Sequence, residues 1–229
     1  MIFRIMGFDL EINIEENKRA SLIVLNKPIF RSIINAIYNN LKNEENNDIV
    51  IEDNGIILKY AKEVTCINDY FEFDFKAKSI ITNLYKKIEE QINIDVNLKQ
   101  EIEMEIIKLG QIVDKATNGL DIEVGFNSSV ALTSLLKLYS FNIDLIDGCS
   151  VLDQLLLWIN LNADFKLAKL IIFINLHANF SEKEILEIYK ILDYKKIKFL
   201  CIDSQSYDRI NSESLYLIDE DLVEFNCSK

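Results

Sequence analysis

The sequence has few of the residues from which catalytic sites and phosphate-binding loops are usually built. Its 229 residues include one histidine, one proline, four cysteines and six glycines. The glycines are isolated, so no GxxxxGK phosphate loop and no GxGxxG or GxSxG motif is present. After the predicted strand Ser21 to Leu25, where a nucleotide-binding α/β protein would hold phosphate, the chain reads Asn26-Lys27-Pro28-Ile29. We therefore expect no nucleotide at this loop.

The cysteines do not form a pattern typical of a metal site or of a disulfide framework. Cys66, Cys149, Cys201 and Cys227 are widely spaced, and no CxxC pair is present. His177 is the single imidazole that could join them at a metal ion. We expect reduced thiols, most of them packed as small apolar side chains.

The sequence also lacks a segment long enough to cross a bilayer. The longest mainly apolar run, Leu170 to Leu176, is far shorter than the roughly 20 residues that a transmembrane helix needs. The stretch from Met1 to Ile14 contains Arg4, Asp9 and Glu11, which is not the pattern of an export signal. We predict a cytoplasmic protein without a membrane anchor.

Positive charge is scarce, and the formal net charge is −12. Because lysine and arginine bind the phosphates of nucleic acids, this balance by itself argues against a nucleic-acid ligand. The charges are unevenly distributed, however. The segment Asn17 to Asn43 contains five basic residues and no acid, whereas acids concentrate in Asp9 to Glu16 and Asp203 to Glu224. This pattern fits either ordinary solvated faces or one basic surface on an acidic body.

The patterns that are present indicate strands and a helix over the first 75 residues. Apolar and polar residues alternate from Leu10 to Ile14, which predicts a half-buried strand. A helix is predicted from Pro28, because apolar residues then recur every three or four positions. Asn54-Gly55 separates the apolar segments Ile49 to Asp53 and Ile56 to Tyr60, which predicts a tight type I′ hairpin.

Helical periodicity then replaces the strand patterns. Four helices are predicted near residues 80–92, 98–116, 128–140 and 151–159. Strands are predicted again at Leu170 to Leu176 and at Ile197 to Ile202, on either side of a helix that opens with a capping box at Ser181. We predict an α/β head domain of residues 1–75 and 166–229, with a helical domain of residues 76–165 inserted into it.

A few polar residues are candidates for chemistry. His177 and Asp203 follow predicted strands, where active-site groups often lie, but structural roles are the simpler interpretation. Asp121 and Glu123 would project from the same side of an extended segment, as Ca²⁺ or Mg²⁺ ligands or as a solvated acidic pair. Asp153 would be a third ligand if the fold brings it near them.

The order of several segments resembles a known family over almost the whole chain. The segments are SLIVLN before a helix, LDIE, LLKL, SVLDQLL, LIIFINLHANFSEKEILEIYKIL and KIKFLCID. This arrangement is similar to the short-form, Csn-type accessory protein of type II-A CRISPR systems, which is required for the acquisition of new spacers.

The resemblance implies a homotetrameric ring in which the α/β heads look like degenerate P-loop ATPases and the inserted helices form legs. It implies a protein without nuclease or ATPase activity that binds the ends of linear double-stranded DNA, without sequence preference, in a lysine-lined channel. It also implies Ca²⁺ as the cofactor, no nucleotide, and the CRISPR integrase complex and the RNA-guided effector nuclease as partners.

Individual residues follow from the same resemblance. Asp121 and Glu123 match an acidic stretch near the family's metal, although Val124-Gly125 replaces the further acids, and Asp153 could complete the shell. Lys137, within LLKL, matches a basic position of the leg and is the first candidate for DNA binding. The further candidates do not come from the resemblance but from the basic tract and the hairpin region of the sequence, and they are Lys18, Arg19, Lys27, Lys59 and Lys62.

Two alternatives remain open at the level of sequence. One is a metal-dependent nuclease or phosphohydrolase in which Asp121, Glu123 and Asp153 hold a catalytic ion. The other is an acidic adaptor that binds proteins and has no affinity for DNA.

Overall fold

A computed structural model describes residues 1–44, 46–117, 125, 130–145, 148–210 and 213–227. Its helices and strands confirm the predicted α/β class. They form two units, one of Met1–Phe73 and Leu145–Lys229 and the other of Asp74–Asp144. The segment 145–165, which the sequence analysis placed in the helical insertion, belongs to the first unit.

The first unit contains the strands of the described chain and five of its helices. The strands are β1 (Ile2–Ile5), β2 (Glu11–Asn13), β3 (Arg19–Val24), β4 (Ile49–Asp53), β5 (Ile56–Ile57), β6 (Val64–Ile67), β7 (Leu170–Ile174), β8 (Lys198–Asp203), β9 (Glu213–Ile218) and β10 (Glu224–Asn226). The helices of both units are α1 (Lys27–Leu41), α2 (Tyr60–Glu63), α3 (Lys78–Ile94), α4 (Val96–Thr117), α5 (Leu132–Leu138), α6 (Val151–Phe165), α7 (Leu176–Asn179) and α8 (Glu182–Tyr194).

The main sheet has the strand order β10-β9-β3-β8-β7-β6. All neighbouring pairs are parallel except β9 and β10. A smaller antiparallel sheet has the order β2-β1-β4-β5. Parallel strands need helical crossovers on the faces of the sheet, which explains why β3, β7 and β8 consist almost entirely of buried residues.

The main sheet buries a different hydrophobic cluster on each face. One cluster joins Leu22 and Val24 of β3 to Ile37 of α1 and to the smaller sheet. The other joins Phe173 of β7 to helices α6 and α8, where Leu155 and other apolar residues are fully buried. Alternate residues of each strand therefore face two separate cores.

Several local predictions are confirmed. Asn54 and Gly55 both have positive φ, 53° and 79°, as a type I′ turn requires. The Ser181 capping box is present, since the backbone N–H and the hydroxyl of Ser181 both donate to the Glu184 carboxylate at 2.8 and 2.6 Å. Asn26 caps α1, and Pro28 lies in its first turn.

Other local predictions were wrong at the ends of elements. The strand predicted for Leu170 to Leu176 ends at Ile174, because Asn175 takes a left-handed conformation (φ 54°) and α7 begins at Leu176. The helix predicted near residues 128–140 begins at Leu132 in the described range 130–145, while residues 128 and 129 lie outside the described residues. Strands β1, β6, β9 and β10 were not predicted, since three of them are at most four residues long and β9 lies within the acid-rich stretch from Asp203 to Glu224.

Candidate functional site

The loop after β3 lies at the carboxyl edge of the main sheet, where open α/β sheets commonly bind ligands. The Asn26 Oδ1 atom accepts a hydrogen bond from the Ile29 backbone N–H at 3.1 Å, and its Nδ2 donates to the Glu220 carbonyl at 2.9 Å. The Ile29 N–H group is therefore already hydrogen-bonded to Asn26, whereas a phosphate loop would offer such a group to its ligand.

A crevice of about 370 Å³ lies beside this loop. Its lining includes Lys27, Phe30 and Arg31 of α1 and Ser204 after β8. Lys27 and Arg31 are exposed and one helical turn apart, and no carboxylate contributes to the lining among the described residues. The lining of this crevice is therefore basic although the protein is acidic.

His177 lies in a closed polar cluster next to the same edge. Its Nδ1 is 2.8 Å from Asp203 Oδ2, and its Nε2 is 3.1 Å from Glu213 Oε1. The side chains of all three residues are at most 4% exposed. Because a carboxylate can only accept hydrogen bonds, this geometry favours an imidazolium that donates from both ring nitrogens.

Two tyrosines complete the cluster. The Tyr189 hydroxyl donates to Glu213 Oε1 at 2.6 Å, and the Tyr207 ring stacks on the His177 ring with 3.6 Å between centroids. Burial by itself lowers the pKa of His177, but its hydrogen bonds to Asp203 and Glu213 outweigh burial and raise that pKa to about 9. Burial raises the pKa of Tyr189 well above its usual value.

This cluster has the geometry of a buried ionic network. It holds α7, the end of β8 and the start of β9 together. The expectation that His177 and Asp203 have structural roles agrees with their burial. Sequence reasoning missed Glu213, because it lies 36 residues from His177 and in an acidic segment that looks solvated.

The residues predicted to bind DNA are distributed over both units. Lys27, Lys59, Lys62 and Lys137 are exposed, the first three in the first unit and Lys137 on α5 of the second. Lys18 is also exposed, but its ammonium pairs with Glu15 at 2.9 Å.

Arg19 is largely withdrawn from solvent. Its guanidinium pairs with Asp193 at 3.1 Å and lies over the Tyr189 ring, 5.1 Å from the centroid. These contacts hold the Arg19 side chain between β3 and α8.

Of the predicted metal ligands, Asp121 and Glu123 lie outside the described residues. Asp153 stands in the first turn of α6, where its Oδ2 atom accepts from both the backbone N–H and the hydroxyl of Ser150, at 3.0 and 2.7 Å. This capping box lowers the pKa of Asp153 and leaves Oδ1 as the oxygen available to a metal. In the described part of the chain, no group of three or more acidic, histidine or cysteine side chains could hold a metal ion.

The family profile described as CRISPR-associated protein (Cas_Csn2) matches residues 41–222. The match covers most of the 229-residue chain. The chain belongs to the Csn2 family. It is therefore a CRISPR-associated protein of type II-A. No curated protein sequence matches it.

The second unit of this Csn2-family protein exposes much apolar surface. Helix α4 has 22 residues, none of them buried. Met104, Ile107 and Ile112 are 55, 56 and 62% exposed. A groove of about 370 Å³ also runs between α4 and α5, with Leu109 and Leu135 in its lining. Exposed apolar area on this scale is typical of a surface that contacts another molecule.

In the Csn2-family chain, no described helix combines the length and apolarity that crossing a bilayer requires. The described cysteines are free thiols, and burial raises the pKa of Cys66 to about 12. The similarity of the head to P-loop ATPases stays a prediction.

Proposed function

We propose that this protein binds the ends of double-stranded DNA, without sequence preference and without catalysis, and thereby assists the acquisition of new CRISPR spacers. The observation that carries the proposal is the match of the Csn2 family to residues 41–222. In this proposal the bound DNA is presented to the CRISPR integrase complex and to the RNA-guided effector nuclease.

The exposed lysines are the proposed DNA contacts. Lys137, Lys27, Lys59 and Lys62 have no ion pair among the described residues, so their ammonium groups are available to phosphates. Contacts of this kind position a duplex but do not read its bases. Lys18 is a weaker contact in this scheme because Glu15 partly neutralises it, and Arg19 contributes mainly through the packing of β3 against α8.

The apolar surface of α4 supports self-association. A 22-residue helix without a buried residue gains little from tertiary packing within its own chain. Contact between copies would remove Met104, Ile107 and Ile112 from water. We propose that this surface takes part in the homotetramer.

Calcium is proposed as the cofactor, with Asp121, Glu123 and Asp153 as ligands. Carboxylate oxygens suit Ca²⁺, and Asp153 can offer Oδ1 without losing its capping box. Removal of calcium by a chelator should lower the melting temperature or change the oligomeric mass.

DNA binding is tested with linear duplex and covalently closed circles of the same sequence, with and without Ca²⁺. We expect the protein to bind the linear duplex and not the closed circles. The K27Q/K137Q variant should bind more weakly, and the slope of log affinity against log salt should fall by about 0.9 for each phosphate that is no longer neutralised. K42Q/K183Q removes two exposed lysines with the same change in charge and is the matched control.

Equal binding to circles and linear DNA would contradict end binding, and no binding at low salt would contradict a DNA role. Degradation of the DNA that is abolished by D121N would establish the nuclease alternative. Retention of CRISPR protein partners without any DNA affinity would establish the adaptor alternative.

Self-association is tested by the molar mass from light scattering. Wild-type protein should have the mass of four chains, and M104E/I107E should shift the mass towards one or two chains. K86E/K99E adds negative charge at exposed positions of the same unit and should leave the mass unchanged. A monomeric wild-type protein would contradict the proposal.

A further inference from the structure

A second basic crevice lies at the opposite, amino-terminal edge of the main sheet. We call it the amino-edge crevice. It has a volume of about 510 Å³, within the range of small-molecule sites. Its lining includes five lysines, which are Lys166, Lys169, Lys195, Lys196 and Lys198. None of them was among the residues assigned to DNA binding above.

Carboxylates neutralise three of the five lysines. Lys169 pairs with Glu63 at 2.6 Å. Lys195 pairs with Asp164 at 2.8 Å, and Lys198 pairs with Asp53 at 3.4 Å. Glu16 also lines the crevice. Lys166 and Lys196 are exposed and have no ion pair within the described ranges, so the crevice keeps a positive balance in a chain of net charge −12.

Lys166 and Lys196 occupy equivalent positions at the carboxyl ends of α6 and α8. Both have left-handed backbones, with φ of 52° and 55°. Glycine is the usual residue at such a position because a Cβ atom is strained there. Each of these two adjacent crossovers of the sheet therefore has a lysine at a backbone position that favours glycine, and both lysines line the same crevice.

The simplest structural explanation is that these lysines neutralise the negative ends of the two helix dipoles. The last carbonyls are already satisfied, however. The Asn162 carbonyl accepts from the Leu167 N–H at 3.0 Å, and the Leu192 carbonyl accepts from the Ile197 N–H at 2.9 Å. The helix ends therefore do not need the ammonium groups as hydrogen-bond donors.

Asn162 provides an independent observation. The residue is in the lining of the same crevice and is 1% exposed, yet neither its Oδ1 nor its Nδ2 has a hydrogen-bond partner among the described residues. A buried amide without a partner is unfavourable, and such groups are commonly satisfied by a ligand or by ordered water. The Nδ2 group is a donor suited to a phosphate oxygen.

We propose that the amino-edge crevice binds a phosphoryl anion, with Lys166 and Lys196 supplying charge and Asn162 donating a hydrogen bond. The phosphoryl group belongs either to a short polyphosphate or to the backbone of a nucleic acid. This proposal depends only on the residues of the amino-edge crevice, so it does not depend on the proposed binding of DNA ends at Lys27 and Lys137.

The test measures binding of tripolyphosphate by calorimetry, and of a short duplex by fluorescence anisotropy, at low salt with the full chain. K166G/K196G removes both ammonium groups and relieves the backbone strain, so it should fold at least as stably as wild type. Its affinity should fall about tenfold for each ammonium group removed. K166R/K196R should retain binding, and K42Q/K183Q should behave as wild type.

If K166G/K196G loses binding of tripolyphosphate but keeps binding of the duplex, the ligand is a small polyphosphate. If it loses binding of the duplex but keeps binding of tripolyphosphate, the phosphoryl group belongs to a nucleic-acid backbone. The proposal is overturned if wild type binds neither probe, or if K42Q/K183Q loses as much affinity as K166G/K196G.

N162L separates the role of Asn162 in binding from a role in stability. Replacing an unpartnered amide by an apolar side chain of similar size should leave stability unchanged or raise it, while binding weakens. A clear loss of stability would show that the amide is satisfied within the fold, and its proposed role as a ligand donor would be wrong.

Discussion

Replacing His177 tests the most polar part of the protein interior. In wild type the imidazolium lies between Asp203 and Glu213, which are almost fully buried. H177Q removes the positive charge and leaves two carboxylates without compensation. Breaking a buried ionic network in this way costs about 3–5 kcal/mol of the free energy of unfolding, so we expect a loss of that size near pH 6.5.

The pH dependence follows from the same contacts. The pKa of His177 is raised from 6.5 to about 9 in the folded protein. At about 1.4 kcal/mol per pKa unit, this shift contributes about 3 kcal/mol. Because the folded-state pKa is the higher one, the contribution is complete below about pH 6.5. It is lost as the pH rises through about 9.

Urea unfolding between pH 6 and 9.5 measures both effects. Trp158 is the single tryptophan and lies in the same unit as His177, so its fluorescence reports that unit. As the pH rises from 6 to 9.5, the free energy of unfolding of the wild type should fall by about 3 kcal/mol more than that of H177Q. H177Q/D203N/E213Q, which has no charge in the cluster, should recover part of the stability that H177Q loses.

Two results would refute this reasoning. One is a wild-type stability that does not change with pH over this range. The other is an H177Q protein with the same pH dependence as wild type, which would assign that dependence to other groups.

Four further substitutions test local structure and packing within each unit. S150A removes the hydroxyl of the α6 capping box and should cost about 1 kcal/mol in urea unfolding followed by Trp158 fluorescence; an unchanged midpoint would contradict the box. L155A removes a fully buried side chain and should cost about 2–5 kcal/mol. By contrast, L138A, at a position 79% exposed, should stay within about 0.5 kcal/mol in a thermal melt followed by circular dichroism. G55A places a Cβ at φ 79° and should cost about 1 kcal/mol; no loss would contradict the type I′ turn.

Much of the local structure could be predicted because it depends on neighbouring residues. Asn54-Gly55 favours a type I′ turn by its own backbone preferences, and Ser181 and Glu184 close a capping box within one helical turn. The periodicity around α1, α3 and α4 predicted those helices for the same reason. The ends of elements were predicted less well, since Asn175 ends β7 by adopting a backbone conformation that its neighbours do not demand.

The sequence alone therefore determined the α/β class, the helices of the middle segment, the absence of a glycine-rich phosphate loop and the family resemblance. Only the tertiary structure brought together His177, Asp203 and Glu213, which are separated by 26 and 36 residues. It alone gathered lysines from two crossovers into the amino-edge crevice. The physical reason is that such contacts depend on the order and register of parallel strands. Residues far apart in the chain set that order through packing on both faces of the sheet.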